Sequence, residues 1–250
     1  MNFINVSINE EIAEIVIDRP KVNALNEIVV EELNQTFRTL SKDSDTRAII
    51  LSGNGSFFSF GFDVPELYSY PKEAFLKFVF KFSDLLKNIF LFPKPVIAAL
   101  NGHTIAGGAC VALACDYRLM VQENAKISFN EITFGSTLFS TVVDILKFLV
   151  GAKNSSTIIY SGMMYTAEEA IKLGLIEQVV SKVALKDKAT NVALDLTKKD
   201  YEAFKSIKYL LRENIATQIE NKESDSISEF VDLWYSKSTR NNLQKIKIYD

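Results

Sequence analysis

The sequence predicts an α/β layered protein, and three observations carry that expectation. Short apolar runs suited to buried strands alternate with amphipathic helical stretches through the first two-thirds of the chain. All ten glycines lie between Gly53 and Gly174, and the last proline is Pro95, so turn chemistry is confined to that region. Beyond Gly174 the sequence reads as almost wholly helical.

In chain order, residues 3–9 and 12–18 alternate apolar and polar side chains around Asn9-Glu10, the pattern of a half-buried hairpin. Arg19-Pro20 ends it. Asn26 is placed to cap a helix whose apolar face is Val29, Val30, Leu33, Phe37 and Leu40. Residues 47–51 (Arg-Ala-Ile-Ile-Leu) read as a buried strand that stops at Ser52-Gly53-Asn54-Gly55. An aromatic loop over 57–63 precedes a long helix over about 71–92, with Phe75, Phe78, Phe82, Leu85, Leu86 and Ile89 on one face.

A strand over 95–100 then enters Asn101-Gly-His-Thr-Ile-Ala-Gly107-Gly108-Ala-Cys110, read as a glycine turn opening a short buried helix. Strands follow near 117–121 and 126–129, helices near 138–150, 152–161 and 166–173, and a strand over 176–180. From Leu185 onward everything reads as helical, including 201–217 and a second segment around 227–238. The second holds Ile227, Phe230, Val231, Leu233, Trp234 and Tyr235, too much apolar surface for a free tail, so it must cover the core or another subunit.

Composition narrows the functional classes. The 250 residues are 48% hydrophobic and 24% charged, with a formal net charge of -3, and no Lys/Arg cluster suggests nucleic acid. The N-terminus lacks the pattern of a signal peptide, and the longest apolar stretch is broken by Lys77, Lys81, Asp84 and Lys87, so no membrane span is expected. Cys110 and Cys115 are read as reduced core thiols of a cytoplasmic protein. The single histidine, His103, leaves almost no material for a metal site or a Cys-His pair, and is read as a loop residue. Neither glycine cluster has the spacing of a dinucleotide fingerprint or of a Gly-Lys-Ser/Thr phosphate loop.

What remains is chemistry built on backbone amides. Gly107-Gly108 opens a helix whose first N–H groups have no partner within the helix. The aromatic loop Phe57-Phe58-Ser59-Phe60-Gly61-Phe62-Asp63 also follows a buried strand. Two strand-end turns, each offering one N–H, would make an oxyanion hole. Glu131 is a carboxylate among apolar neighbours at a strand end: on composition a solvated loop residue, in a pocket a proton shuttle whose pKa burial would raise.

Taken together, five segments resemble the crotonase (enoyl-CoA hydratase/isomerase) superfamily. They are Arg19-Pro-Lys-Val-Asn-Ala-Leu25, Phe58-Ser-Phe-Gly-Phe-Asp63, the run from Pro93 to Asp116, Thr166-Ala-Glu-Glu-Ala170, and the run from Gly174 to Val180. The resemblance implies a spiral of β-β-α turns over residues 1–182, which would hold the active site. Residues 183–250 would be a helical trimerisation region, giving a homotrimer or a dimer of trimers. It implies that Phe62 and Gly107 donate to a thioester oxygen. Lys21, Ala24, Phe60, Gly61, Asp63 and Asn130 would belong to the substrate-binding set. No cofactor is called for, because coenzyme A enters as part of the substrate.

Hydratases of that family carry two glutamates; here the first position is Cys110 and only the second, Glu131, is a carboxylate. The resemblance therefore points to a Δ3,Δ2-enoyl-CoA isomerase with Glu131 as the single base. The alternatives are hydration or another crotonase reaction on a carrier-bound acyl chain, and an idle acyl-CoA-binding protein.

Overall fold

The computed structural model describes residues 1–248. Its strands and helices run, in chain order, β1 (Ile4–Asn9), β2 (Ile12–Ile17), α1 (Glu27–Lys42), β3 (Ala48–Gly53), β4 (Phe57–Ser59), α2 (Val64–Leu67), α3 (Lys72–Phe90), β5 (Val96–Leu100), β6 (His103–Ile105) and α4 (Gly107–Ala114). There follow β7 (Tyr117–Val121), β8 (Ile127–Ser128), α5 (Ser140–Ser161), β9 (Met164–Tyr165), α6 (Ala167–Lys172), β10 (Gln178–Val180), α7 (Leu185–Thr197), α8 (Tyr201–Trp234) and α9 (Lys237–Leu243). Glu131–Phe134 forms a tight 3-10 turn between β8 and α5.

Two sheets result. One has the order β1-β2-β3-β5-β7-β10 and the other β4-β6-β8-β9. The first is parallel except for the β1–β2 hairpin, with Ile50 opposite Ile97 and Ala98 opposite Arg118. Three times in succession the chain gives one strand to the larger sheet and the next to the smaller, as β3/β4, β5/β6 and β7/β8. A helix then returns it. This is the expected β-β-α spiral, and it puts the mouths of β4, β6 and β8 side by side.

Burial accounts for the elements. The predicted face of α1 is buried at every position, and Asn26 accepts the Val29 N–H at 3.1 Å as cap. β5 is buried along its whole length, which its unbroken Val-Ile-Ala-Ala-Leu run anticipates for a central parallel strand. No helix among the described residues is long and apolar enough to cross a membrane.

The differences from the sequence reading are local. The aromatic loop contains β4 and the glycine turn contains β6; three-residue strands are too short to show a period. The two helices expected over 138–161 are both present, meeting within α5 at a kink at Gly151, where φ is +74°. The tail is helical as expected, and α8 runs unbroken for 34 residues, through 217–227 as well. That stretch is polar, which hides its face, but it holds no glycine or proline, and Glu223 reaches back to Lys87 of α3 at 2.8 Å.

The C-terminal region departs most. Packing crosses the expected boundary at residue 182, because Leu185, Ala189 and Ala193 of α7 are buried against the large sheet. Of the two places expected for Ile227, Phe230, Val231 and Trp234, the core or another subunit, they take the first, buried within this chain against α3 and α5. The exposed apolar stripe is instead Ile207, Leu210 and Leu211, in the first half of α8.

Candidate active site

The site begins where β4 and β6 end. Gly61 takes φ +95°, and a Cβ there would lie 2.7 Å from the Ile105 carbonyl oxygen and 2.8 Å from the Gly107 nitrogen. A Cβ on Gly108 would meet the Ser59 carbonyl oxygen at 2.5 Å. Only glycines let the two turns approach this closely. The Leu25 N–H donates to the Gly61 carbonyl at 2.7 Å, and the Asp63 N–H donates to the Leu25 carbonyl at 3.0 Å. This parallel bridge flanks Phe62 and leaves its own N–H on the side away from Leu25. Gly107 is the first residue of α4, so its N–H has no acceptor within the helix. Neither amide meets an acceptor among the described residues.

The Asp63 carboxylate is fully buried, caps α2 through the Glu66 N–H at 3.1 Å, and pairs with Arg19 at 2.5 Å. Arg19 also donates to the Ala24 carbonyl at 3.1 Å. Asp63 thus acts on the donor turn through the fold, a different place from the substrate-binding one the resemblance implied. Ala24 is likewise buried; Phe60 is half-buried at the pocket wall, and Lys21 lies at the surface.

Beside these turns, the Ala106 N–H donates to the Ser128 carbonyl at 2.8 Å, which ties the start of α4 to the strand leading into Asn130 and Glu131. The residues at 130 and 131 therefore reach the same pocket as Phe62 and Gly107, with Cys110 one turn further along α4. Glu131 is not a solvated loop residue. It is 8% exposed, its Oε2 has no hydrogen-bond partner, and burial raises its carboxyl to about 7. Burial, and then the neighbouring Glu131, push the Cys110 thiol well above its ordinary value, which keeps it protonated. Asn130 Oδ1 is a second unpartnered oxygen of the pocket.

The cavity is about 70 Å³, and apart from these groups, the unpartnered Ser136 hydroxyl and the Trp234 Nε1, its lining is mostly apolar. Its far wall is Phe82, which sequence reading placed on a helix face, Phe230 and Trp234, read as covering the core or another subunit, and Phe139, which it did not single out. Phe62 joins these rings, with centroids 4.9 Å from Phe82 and 6.5 Å from Trp234. The available signal was the aromatic density of α3 and α8, which does not say which rings border a void. His103 lies in β6 against Phe57, with ring centroids 5.1 Å apart, outside the cavity.

The arrangement is a pair of free amides and one buried carboxyl at an apolar pocket. It suits a reaction in which a carbonyl oxygen gains charge while a neighbouring carbon loses a proton. The sequence profile of the family described as enoyl-CoA hydratase/isomerase matches residues 7–246. This chain belongs to that family.

A probable enoyl-CoA hydratase of Bacillus subtilis is 28% identical over 246 residues, covering 98% of this chain and 95% of that protein. The short-chain-enoyl-CoA hydratase of Clostridium acetobutylicum is 29% identical, over 92% and 90% of the two chains. In structure, human mitochondrial delta3-delta2-enoyl-CoA isomerase superposes with a TM-score of 0.92 over 96% of this chain and 95% of that one, at 23% identity. That likeness establishes the crotonase fold. The family makes the protein an enzyme of the hydratase/isomerase class, and the side chains around the turns decide which reaction it carries.

The Gly61→Ala enzyme is expected to lose about 10²–10³ in kcat, the usual effect of removing one oxyanion donor. The new Cβ would push against Ile105 and Gly107 and displace the Phe62 amide. Steady-state kinetics, with circular dichroism as control for folding, measure this; an intact enzyme within about twofold of wild type would separate the turn from the reaction.

Proposed function

We propose that the protein is a Δ3,Δ2-enoyl-CoA isomerase. The observation that carries this is the solitary carboxyl: among the cavity-lining residues only Glu131 is acidic, and Cys110 holds the place from which a second acid would face it. The Phe62 and Gly107 amides donate to the thioester oxygen of a 3-enoyl-CoA. Glu131, ionised at and above pH 7, removes a proton from C2. The electron pair moves onto the oxygen as a dienolate, held by the two amides and by the positive end of α4. The protonated Glu131 then returns the proton to C4, and the double bond rests between C2 and C3. Nothing is consumed, and coenzyme A takes part only as the handle of the substrate.

Hydration asks more of the site. Water must be deprotonated as it adds to C3 while C2 receives a proton, a task two carboxyls share more readily than one. The Cys110 thiol, held protonated by burial, makes a poor partner for Glu131 in that work. The hydratase names of the Bacillus and Clostridium relatives support the competing reading.

Parallel assays of 3-hexenoyl-CoA isomerisation and crotonyl-CoA hydration decide between them. Isomerisation is expected to exceed hydration in kcat/KM by about 10² or more. The reverse order would make the enzyme a hydratase, and binding without turnover of either would make it a carrier. The exposed Ile207, Leu210 and Leu211 stripe supports assembly into a trimer.

A further inference from the structure

The seven residues of α9 touch both halves of the site. Thr239, fully buried, donates its hydroxyl to the Gly135 carbonyl at 2.6 Å, and Asn242 donates its side-chain amide to the Phe134 carbonyl at 3.2 Å. Those carbonyls close the 3-10 turn that Glu131 opens, and Gly135 ends it at φ +80°. On the other side Arg240 donates to the Tyr68 carbonyl at 2.8 Å, with its guanidinium 3.4 Å above the Tyr68 ring. Tyr68 ends α2, the helix capped by Asp63 next to Phe62. Just beyond α9, Ile246 enters the cavity wall.

We propose that α9 is a positioning clamp: Thr239 and Asn242 hold the turn that carries Glu131, while Arg240 holds the helix that follows Phe62. Base and oxyanion donor sit on separate loops of the spiral. A proton shuttle needs the distance between them fixed to well under an ångström. The 3-10 turn has weak hydrogen bonds of its own. Its end is fixed instead by side chains from more than a hundred residues away. The clamp also keeps the carboxyl dry: Cys110 of α4 is the titratable group facing Glu131, and the other cavity-lining side chains carry no charge.

The inference rests on Glu131 being the base, so its test includes a readout that does not need turnover. Thr239→Val keeps the shape and removes the donor; Thr239→Ser keeps the donor. Relative to wild type, Thr239→Val should lower kcat about tenfold with KM nearly unchanged. It should also shift the acid limb of the kcat/KM profile about half a unit or more to lower pH, as water reaches the carboxylate. Thr239→Ser should restore both.

Titration of carboxyl-labelled glutamate by NMR, with Glu131→Gln as assignment control, reads the same shift without substrate. Thr46→Val, which removes a hydroxyl bonded to Asp43 away from the cavity, reports what lost stability alone does. If Thr239→Val does not fold, Asn242→Leu gives the same test. A Glu131 titration that stays at the wild-type position, or changes that Thr46→Val reproduces, would overturn the clamp. A carboxyl that shifts in a protein unable to isomerise would keep the clamp and remove only the isomerase reading.

Discussion

Glu131→Gln is expected to lower kcat by about 10²–10⁴ with little change in KM, and at the same time to stabilise the protein above pH 7. Glutamine keeps the shape and the acyl pocket but cannot take a proton from C2. The stability gain follows from the raised pKa of the carboxyl, about 7 in the fold against an ordinary value of 4.5. Between those values the folded state holds a proton that the unfolded chain releases. The contribution of the neutral carboxyl is therefore fully present below pH 4.5 and lost as pH rises through 7. The difference is about 3 kcal/mol. Glutamine is neutral at every pH and keeps it. Thermal melts at pH 5 and pH 8 should show wild type losing ground to the variant only at the higher value. A variant equally stable relative to wild type at both pH values would mean the carboxyl is solvated. The kcat/KM of wild type should fall about tenfold per unit as pH drops below 7, because the base is then protonated.

That opposition between stability and activity explains what the sequence could and could not disclose about the site. The glycines at positions 61, 107 and 108 were legible, because close approach of two backbones leaves no room for a side chain. Glu131 was legible only through resemblance, since its local residues suit a surface loop. The cavity it lines is closed by Phe82, Phe139, Phe230 and Trp234, drawn from α3, α5 and α8, or from the turn before them. No local pattern assembles these. The strands and the face of α1 followed from period and capping. The helical tail followed from the absence of glycine and proline after Gly174, although the middle turns of α8 are polar and are held by tertiary partners such as Lys87. Asp63 was misplaced for a related reason: a carboxylate beside a pocket looks like a ligand-binding group until Arg19 and the cap of α2 are seen to occupy it.

Asp116→Asn is expected to cost about 3–5 kcal/mol of stability, the cost of leaving buried charges without their partner. Asp116 ends the run from Pro93 that resembles the crotonase superfamily, yet it lies outside the active-site cavity. One of its oxygens pairs with Arg212 at 2.9 Å, and the other with Lys208 at 2.7 Å and the Val96 N–H at 2.8 Å. Lys208 and Arg212 are both buried on α8, and Arg212 also stacks on Phe90 and donates to its carbonyl. This carboxylate therefore fastens α8 to β5 and β7, and α8 in turn carries Phe230 and Trp234 to the pocket.

Without the charge, two buried cations lose their partner. Burial lowers the Lys208 ammonium to about 8 even with Asp116 present. Between about 8 and its ordinary value near 10.5, the unfolded chain holds more protons than the folded one, so this group's contribution to stability rises with pH. Removing Asp116 extends that window downward. The deficit of Asp116→Asn should accordingly be largest near neutrality and shrink towards about pH 9.5, as Lys208 sheds its proton and only Arg212 stays charged. Denaturant unfolding at the two pH values measures it. A loss below about 1 kcal/mol, or one that grows with pH, would show that the cations find other partners. Activity should fall only as far as the α8 wall of the pocket loosens, with the Glu131 titration in its wild-type place. That outcome separates this charge from the chemistry it resembles.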